Sequence, residues 1–592
     1  MNRRPTRGAF IAPPPSHPMG SLAEKPSSRL NHRTLGVTNR IWLIIALFLA
    51  LVFFTRSILP SDHPHPRRQA WNADLKPKNY LNVTAGETLS PFPFCPALGP
   101  GDELAAKYDP ILLAKTRMYT GSGARMQRLI SRALAGHPVT ISVVGSSVSA
   151  CHGAGDDPLS PSCYPSLFFS WWNEVFPHPA SELTNGAMRR TNSAYFSFCH
   201  NHHVPDVVDL VIVELDAADE TNPNALEDFE ILIRSLLIRP EQPAVLILGH
   251  FAPQIQNTVG FVGPDHWHTV VAQFYDVPHI SVKPLLYSKY MANPDGIMNQ
   301  FYADPVLANP TGHEVIADVL SSYFQSLVCA AWSAVTGTES EALPGPGMLS
   351  VVKGKGNSDL SQPKDAKGLF GGVAQRIGAA GAGAFEPPKA GEGVDGAAVP
   401  PNANQNPNKQ PDSQMAPNSR LLYPHLKVPS RMINSVPTPS HFREIVPFCV
   451  SANDLVNPLP SSLLTGTGWN VFHPATGTAE LTSHAHYWYS TLPTSRLRVS
   501  ITVGKGDVGI YYLKEPTPAD GSEGAAVECW VDDNYAGAVV IENYGNVGEE
   551  TPSLEIIDRN VMAGSHYVEC QLMGEEEERG VPPFKIMGIF SS

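Results

Sequence analysis

VTISVVGSSVSACHGAG, residues 139–155, passes abruptly from an apolar run to a cluster of glycine, serine and alanine. The run Val139–Val144 has the length and β-branched content of a buried strand. The small residues after it suit a tight loop that opens a helix. Open α/β sheets place ligands and reactive groups at the carboxyl ends of parallel strands. Gly and Ser are also ordinary turn residues, so Ser146 and Ser147 take their meaning from what surrounds them.

Working outward, residues 95–333 alternate strand-like and helix-like stretches. The apolar runs Val139–Val144, Val207–Leu215, Ala244–Leu248 and His279–Val282 do not alternate with polar residues, as strands covered on both faces should not. Helical spacing marks Ala124–Leu134, Pro165–Phe176, Asn224–Ile238, Asp265–Tyr275 and Thr311–Val335. The expectation is an α/β domain with a doubly wound parallel sheet.

Residues 439–592 read differently. RLRVSITV, VGIYYL, AVECWVDD, GAVVIENYG, SHYVECQLM and FKIMGIF are short β-rich runs divided by Gly, Asp, Asn and Pro. That pattern predicts a separate all-β sandwich. Trp469, Tyr487, Trp488 and Tyr489 in its opening stretch are core residues or stacking platforms for sugars. Between the two domains, residues 334–438 are rich in Gly, Ala, Pro, Asn and Gln without periodicity. Such a composition cannot bury enough apolar surface to offset ordering entropy, so a disordered linker is expected there.

The chain has 592 residues and a formal charge of −13. The acidic balance argues against a nucleic-acid partner. Residues 1–40 carry seven basic residues against Glu24, a net +6, which leaves −19 for the remainder. A disordered basic cytosolic tail over 1–40, a transmembrane signal anchor over 41–59 and a stalk over 60–94 follow from this layout. The apolar segment IWLIIALFLALVFFT with Arg56, Ile58 and Leu59 makes a helix of about 28 Å, enough for a thin bilayer. The alternative is a cleaved signal peptide; a 40-residue leader and the lack of a small-x-small site favour the anchor. Basic residues stay cytosolic, which predicts a single-pass type II protein of the secretory pathway. Asn82-Val83-Thr84 is a glycosylation acceptor, and eight cysteines suit an oxidising compartment. Cys529 and Cys570 lie in one expected domain and are a plausible pair. No cysteine–histidine spacing fits a metal site.

Four stretches of the α/β domain carry chemistry in chain order: GSS after the first strand, LTNGAMRRTNSAYFSFC, DLVIVELDAADE, and FYADPVLANPTGHEVIADVL. They resemble the SGNH (GDSL-type) hydrolase family, in its branch with a GGS-type nucleophile loop. The layout with a C-terminal β-domain resembles membrane-anchored fungal-type members. The resemblance implies a flavodoxin-like sheet, serine-esterase or acyl-transfer chemistry and no cofactor. By resemblance Ser147 is the nucleophile, Ser147 and Gly186 contribute to the oxyanion hole, and Asp304 orients a catalytic histidine. Two departures stand out. The family's Asn-Asp pair is here Ala218-Asp219, and the family's Asp-x-x-His is Asp304-Pro305-Val306-Leu307, with leucine in the place of the base. His313 is the candidate relocated base, with His250, His266 and His268 as others.

Three functions follow as expectations. One is a carboxylic-ester hydrolase or acyl-transfer protein acting on glycan O-acyl groups. The others are a catalytically degenerate glycan-binding protein and a scaffold in a membrane-bound glycan-synthesis assembly.

Overall fold

The computed structural model describes residues 33–34, 37–38, 41, 43–45, 47–48, 72, 74–82, 90–155, 157–336, 426–435, 442–475, 478, 480, 483–504, 506–517, 524–575 and 580–592. The chain divides into Met1–Trp71 and Asn72–Ser592, and both predicted domains lie in the second unit. Within the first, Arg33–Thr34 pairs antiparallel with Val37–Thr38. Ile41, Leu43–Ile45, Leu47 and Phe48 are helical, and the rest of the expected anchor lies outside the described residues.

The α/β domain is built on six strands: β1 (Arg117–Tyr119), β2 (Thr140–Gly145), β3 (Glu182–Asn185), β4 (Leu210–Glu214), β5 (Ala244–Gly249) and β6 (His279–Ser281). Their spatial order is β1-β6-β5-β4-β2-β3. The strands β2 to β6 are parallel and β1 adds an antiparallel edge. Leaving β1 aside, the parallel strands stand in the flavodoxin-like order 2-1-3-4-5. The four apolar runs read from sequence are β2, β4, β5 and β6. Every residue of β4 and β5 is buried, which is why neither alternates. The helices used below are α1 (Ala124–Leu134), α2 (Tyr164–Val175), α3 (Ser193–Cys199), α4 (Pro223–Leu237), α5 (Pro264–Tyr275) and α6 (Pro310–Thr336). Among the described helices, α6 is the one long and apolar enough to cross a membrane, and it is mostly buried inside the domain. Phe324 of α6 packs edge-on to Trp172 of α2 at 5.7 Å, so its apolar length serves the core.

The β-domain has two sheets. One carries, in spatial order, Leu464–Thr467, Arg496–Val503, Gly564–Leu572, Ala526–Val531 and Val539–Glu542. The other is centred on Phe584–Ser591 and Val508–Pro516. Arg496–Val503 alternates exposed and buried residues along its length, the mark of a sheet with one wet face.

The sandwich is separate in architecture but not in packing. Val144, Tyr195, Phe198, Val211 and Val213 share one apolar cluster with Cys449, Tyr511, Leu513, Met587 and Phe590. A disulfide joins Cys199 of α3 to Cys449. The others are Cys95–Cys329, Cys151–Cys163 and Cys529–Cys570. Residues 337–425 of the expected linker lie outside the described residues, but its last part is ordered. The Arg234 guanidinium of α4 bonds the Pro429 carbonyl at 2.5 Å and the Glu444 carboxylate at 2.5 and 2.6 Å. Glu230 accepts from the Ile433 N–H at 2.6 Å. Polar helix side chains thus satisfy the returning backbone, a pairing that composition alone does not reveal.

Candidate active site

The β2 strand ends on Gly145, where a Cβ would lie 2.6 Å from the Glu214 carbonyl oxygen and overlap Ser149. The turn that follows is pinned by the Ser146 N–H donating to that same carbonyl at 3.2 Å. Ser147 is half-buried at the carboxyl edge of the sheet. Its Oγ accepts from the Arg190 N–H at 3.0 Å, while its own N–H has no acceptor among the described residues. The Arg190 N–H is therefore held on the hydroxyl itself, while the Ser147 amide is left to meet negative charge developing on an acyl oxygen. Arg190 holds φ at 57°, in the left-handed region. Because that conformation is uncommon for a residue with a side chain, the sequence carried no sign that its amide would serve here.

Gly186, expected as an oxyanion donor, has another task. Its N–H donates to Val143 O at 2.9 Å, extending the β2–β3 ladder. A Cβ at this position would overlap the His203 carbonyl oxygen and lie 2.8 Å from its carbon. The glycine is needed for close backbone approach. Asn185 beside it ties β3 to the nucleophile loop, its Nδ2 donating to Ser149 O at 2.8 Å and Pro158 O at 2.7 Å.

Asp304 is exposed and turns its carboxylate onto its own loop. Oδ1 accepts the N–H groups of Val306 and Leu307, both at 2.7 Å. Leu307 is buried, with its Cβ 3.4 Å from where a Cβ on Gly153 would stand. The Asp304–Leu307 loop therefore lies against Gly153 of the loop that follows Ser147.

The candidate histidines are engaged elsewhere. His313 is fully buried on α6, with Nδ1 accepting from the Tyr164 N–H at 3.3 Å and its ring stacked on Tyr164 at 6.0 Å. Burial, with His250 nearby, pushes its pKa down to about 3. His313, expected as the base, has its Nδ1 met by the Tyr164 N–H and by Cys163 Sγ at 3.8 Å, and its ring is buried. His250 bonds Val306 O through Nε2 at 2.9 Å, and burial pushes it down to about 4. His268 bonds Asp219 at 2.8 Å and stacks on Phe229 at 3.7 Å, whereas His266 is exposed. None of these four rings bonds Ser147.

Beneath the loop lies a buried polar group. Ser149 Oγ bonds Glu214 Oε2 at 2.7 Å and the Tyr164 hydroxyl at 2.8 Å. Asp216, two residues past Glu214, accepts from the His250 N–H at 2.9 Å and lines a small cavity of about 20 Å³ with Asp265 and Lys283. Burial raises Glu214 to about 7, and raises Asp216 as well, with Glu214 as the next cause. A carboxyl whose folded pKa is raised keeps its proton while the unfolded chain has released its own. Its stabilisation is full below the unfolded value and is lost as pH rises through the folded one. Chemical denaturation of the parent and Glu214→Gln at pH 5 and pH 8 should therefore show the amide gaining on the parent as pH rises. The relative gain is on the order of 3 kcal/mol. An equal gap at both pH values would refute the buried neutral carboxyl.

Among the described residues no group of three or more His, Cys, Asp or Glu side chains could hold a metal ion. In the sandwich, the four aromatic residues singled out by sequence divide. Trp488 is buried core. Tyr487 stacks on the partly exposed Phe472 at 5.0 Å and meets Tyr489 edge-on at 6.0 Å, with the Lys585 ammonium over its ring at 5.5 Å.

No protein-family profile and no curated protein sequence matches this chain. Solved structures do. A two-domain esterase active on acetylated mannans superposes with a TM-score of 0.51 at 16% identity, over 81% of this chain and 98% of that one. Its form co-crystallised with mannopentaose gives 0.50 at 15% identity, over 81% and 97%. The chain thus shares the fold of that protein across both domains: an esterase-type α/β domain followed by a β-sandwich.

Proposed function

We propose that this chain is an SGNH-type protein of the secretory pathway that acts on O-acyl groups of glycans by ester chemistry at Ser147. The observation that carries the reading is the Ser147 hydroxyl, at the mouth of a parallel sheet, with the Arg190 N–H at 3.0 Å and its own amide unpaired. In the step envisaged, the acyl carbonyl oxygen lies toward the Ser147 amide, and Ser147 Oγ, held by the Arg190 N–H, attacks the carbonyl carbon. The hydroxyl proton leaves with the alcohol of the glycan, and water later releases the acyl group. With none of the four candidate imidazoles bonded to the hydroxyl the attack is slow, since base removal in serine hydrolases costs on the order of 10⁶ in rate.

A carbohydrate ligand is supported by the exposed Phe472 stacked on the half-buried Tyr487, and by the esterase with mannopentaose that shares the fold. Four disulfides and the exposed Asn82 favour an oxidising compartment and glycan attachment, consistent with a type II anchor over 41–59. One observation, the buried Leu307, favours a second reading: binding of acylated glycan without turnover.

The test is Ser147→Ala. Hydrolysis of p-nitrophenyl acetate and of acetylated mannan should fall to background, and the acetyl-Ser147 adduct should vanish by mass spectrometry. Undiminished hydrolysis would exclude Ser147 as the reacting group. A parent that binds acetylated mannan but never acetylates would select the binding reading.

A further inference from the structure

We propose that the β-sandwich is a structural part of the Ser147 site, holding the segment from Arg190 to His202 so that the Arg190 N–H faces the serine hydroxyl. The catalytic meaning of this arrangement rests on the ester chemistry proposed above; its geometry does not.

Arg190 sits between β3 and α3, at a φ of 57° that persists only where the surroundings impose it. The α/β domain restrains the segment on one side: the Ser193 N–H donates to Asp219 Oδ1 at 2.8 Å, the Arg239 guanidinium bonds Asn201 Oδ1 at 3.1 Å, and Phe196 packs in one cluster with Leu226 and Phe229 of α4. The sandwich restrains it on the other. The Arg190 guanidinium meets the Glu549 carboxylate at 3.0 Å and the Glu550 carbonyl at 3.4 Å. The Tyr511 hydroxyl donates to Ala194 O, and Tyr195 bonds Ser451 Oγ at 2.8 Å. Phe198 packs on Phe590 with ring centroids 4.5 Å apart, Cys199 is disulfide-bonded to Cys449, and His202 Nε2 bonds Cys449 O at 2.8 Å.

The loop that receives Arg190 is itself fixed. Glu550 accepts from Lys585 at 2.5 Å and from His484 at 3.3 Å, contacts that hold its carboxyl down at about 2. Lys585 also reaches Glu515 at 2.8 Å. Ion pairs on the Glu550 side chain therefore fix the loop whose Glu549 carboxylate and Glu550 carbonyl receive Arg190, the residue whose amide touches Ser147. Arg190 and Glu549 are positioning residues here, since neither side chain reaches the reacting atoms. Both are well exposed, so the pair alone is weak; its effect comes from acting with the buried contacts of α3.

The experiment uses the full-length chain as parent, Glu549→Ala and Tyr511→Phe. Amide hydrogen exchange is followed in peptides covering residues 188–194. Exchange there should rise roughly three- to ten-fold in each variant, the range of a weak exposed pair or one lost hydrogen bond. Exchange in Leu210–Glu214 and Val508–Pro516 should stay unchanged, and acetylation of Ser147 by p-nitrophenyl acetate should slow by a similar factor. Unchanged exchange at 188–194, or a rise spread evenly over both domains, overturns the proposal, as does a local rise with undiminished acetylation. If exchange rises locally but the parent itself is never acetylated, the positioning stands and the ester chemistry fails.

Discussion

Leu307→His is expected to raise ester hydrolysis by at least about 10²-fold, the lower end of what a positioned general base contributes. Leu307 sits on a loop that touches Gly153 of the loop after Ser147, and Asp304 is three residues before it. Both hydrogen bonds to Asp304 fall on Oδ1, which leaves Oδ2 to take an imidazole N–H. The new activity should follow a titration near the ordinary histidine value of about 6.5, and Leu307→Asn, similar in size but without a base, should gain nothing. Rates of p-nitrophenyl acetate hydrolysis from pH 5 to 8.5 decide it. A histidine variant as slow as the parent would mean that the Asp304 loop does not face the hydroxyl.

Gly186→Ala should abolish folding or lower stability by about 3 kcal/mol or more, at the upper end of overpacking costs. The added methyl would overlap the His203 carbonyl oxygen and approach His203 Cβ to 2.9 Å. Neither neighbour can yield easily: the His203 ring bonds the Gly186 carbonyl at 2.8 Å and the Tyr195 hydroxyl at 3.0 Å. The denaturation midpoint of the purified variant, or its failure to accumulate, is the measurement. A well-folded variant with reduced acylation alone would return Gly186 to the oxyanion role that its amide, spent on Val143, contradicts.

The parallel sheet was legible because burial on both faces writes uninterrupted apolar runs, and four of its strands and five helices were placed within a few residues. Glu182–Asn185 was not, because a short polar edge strand with one neighbour has no such run. Nor was Arg117–Tyr119, whose side chains are half-exposed. Ser147 and the Asp304 loop were proposed from their neighbours in sequence. Arg190 could not, since a left-handed φ in an arginine is set by tertiary contacts rather than by residue type. The histidines misled for a related reason: a buried imidazole bonded to backbone and one poised as a base look alike in sequence. The same limit applied to Cys199–Cys449, whose partners lie 250 residues apart in different domains.

That crosslink has a consequence for the polypeptide between residues 336 and 426. With α3 covalently fastened to the strand that opens the sandwich, the tract connecting the domains in sequence is not what keeps them together. A chain nicked anywhere within it would remain one molecule, so insertions, deletions or protease sites there are free of the duty of holding the halves in register.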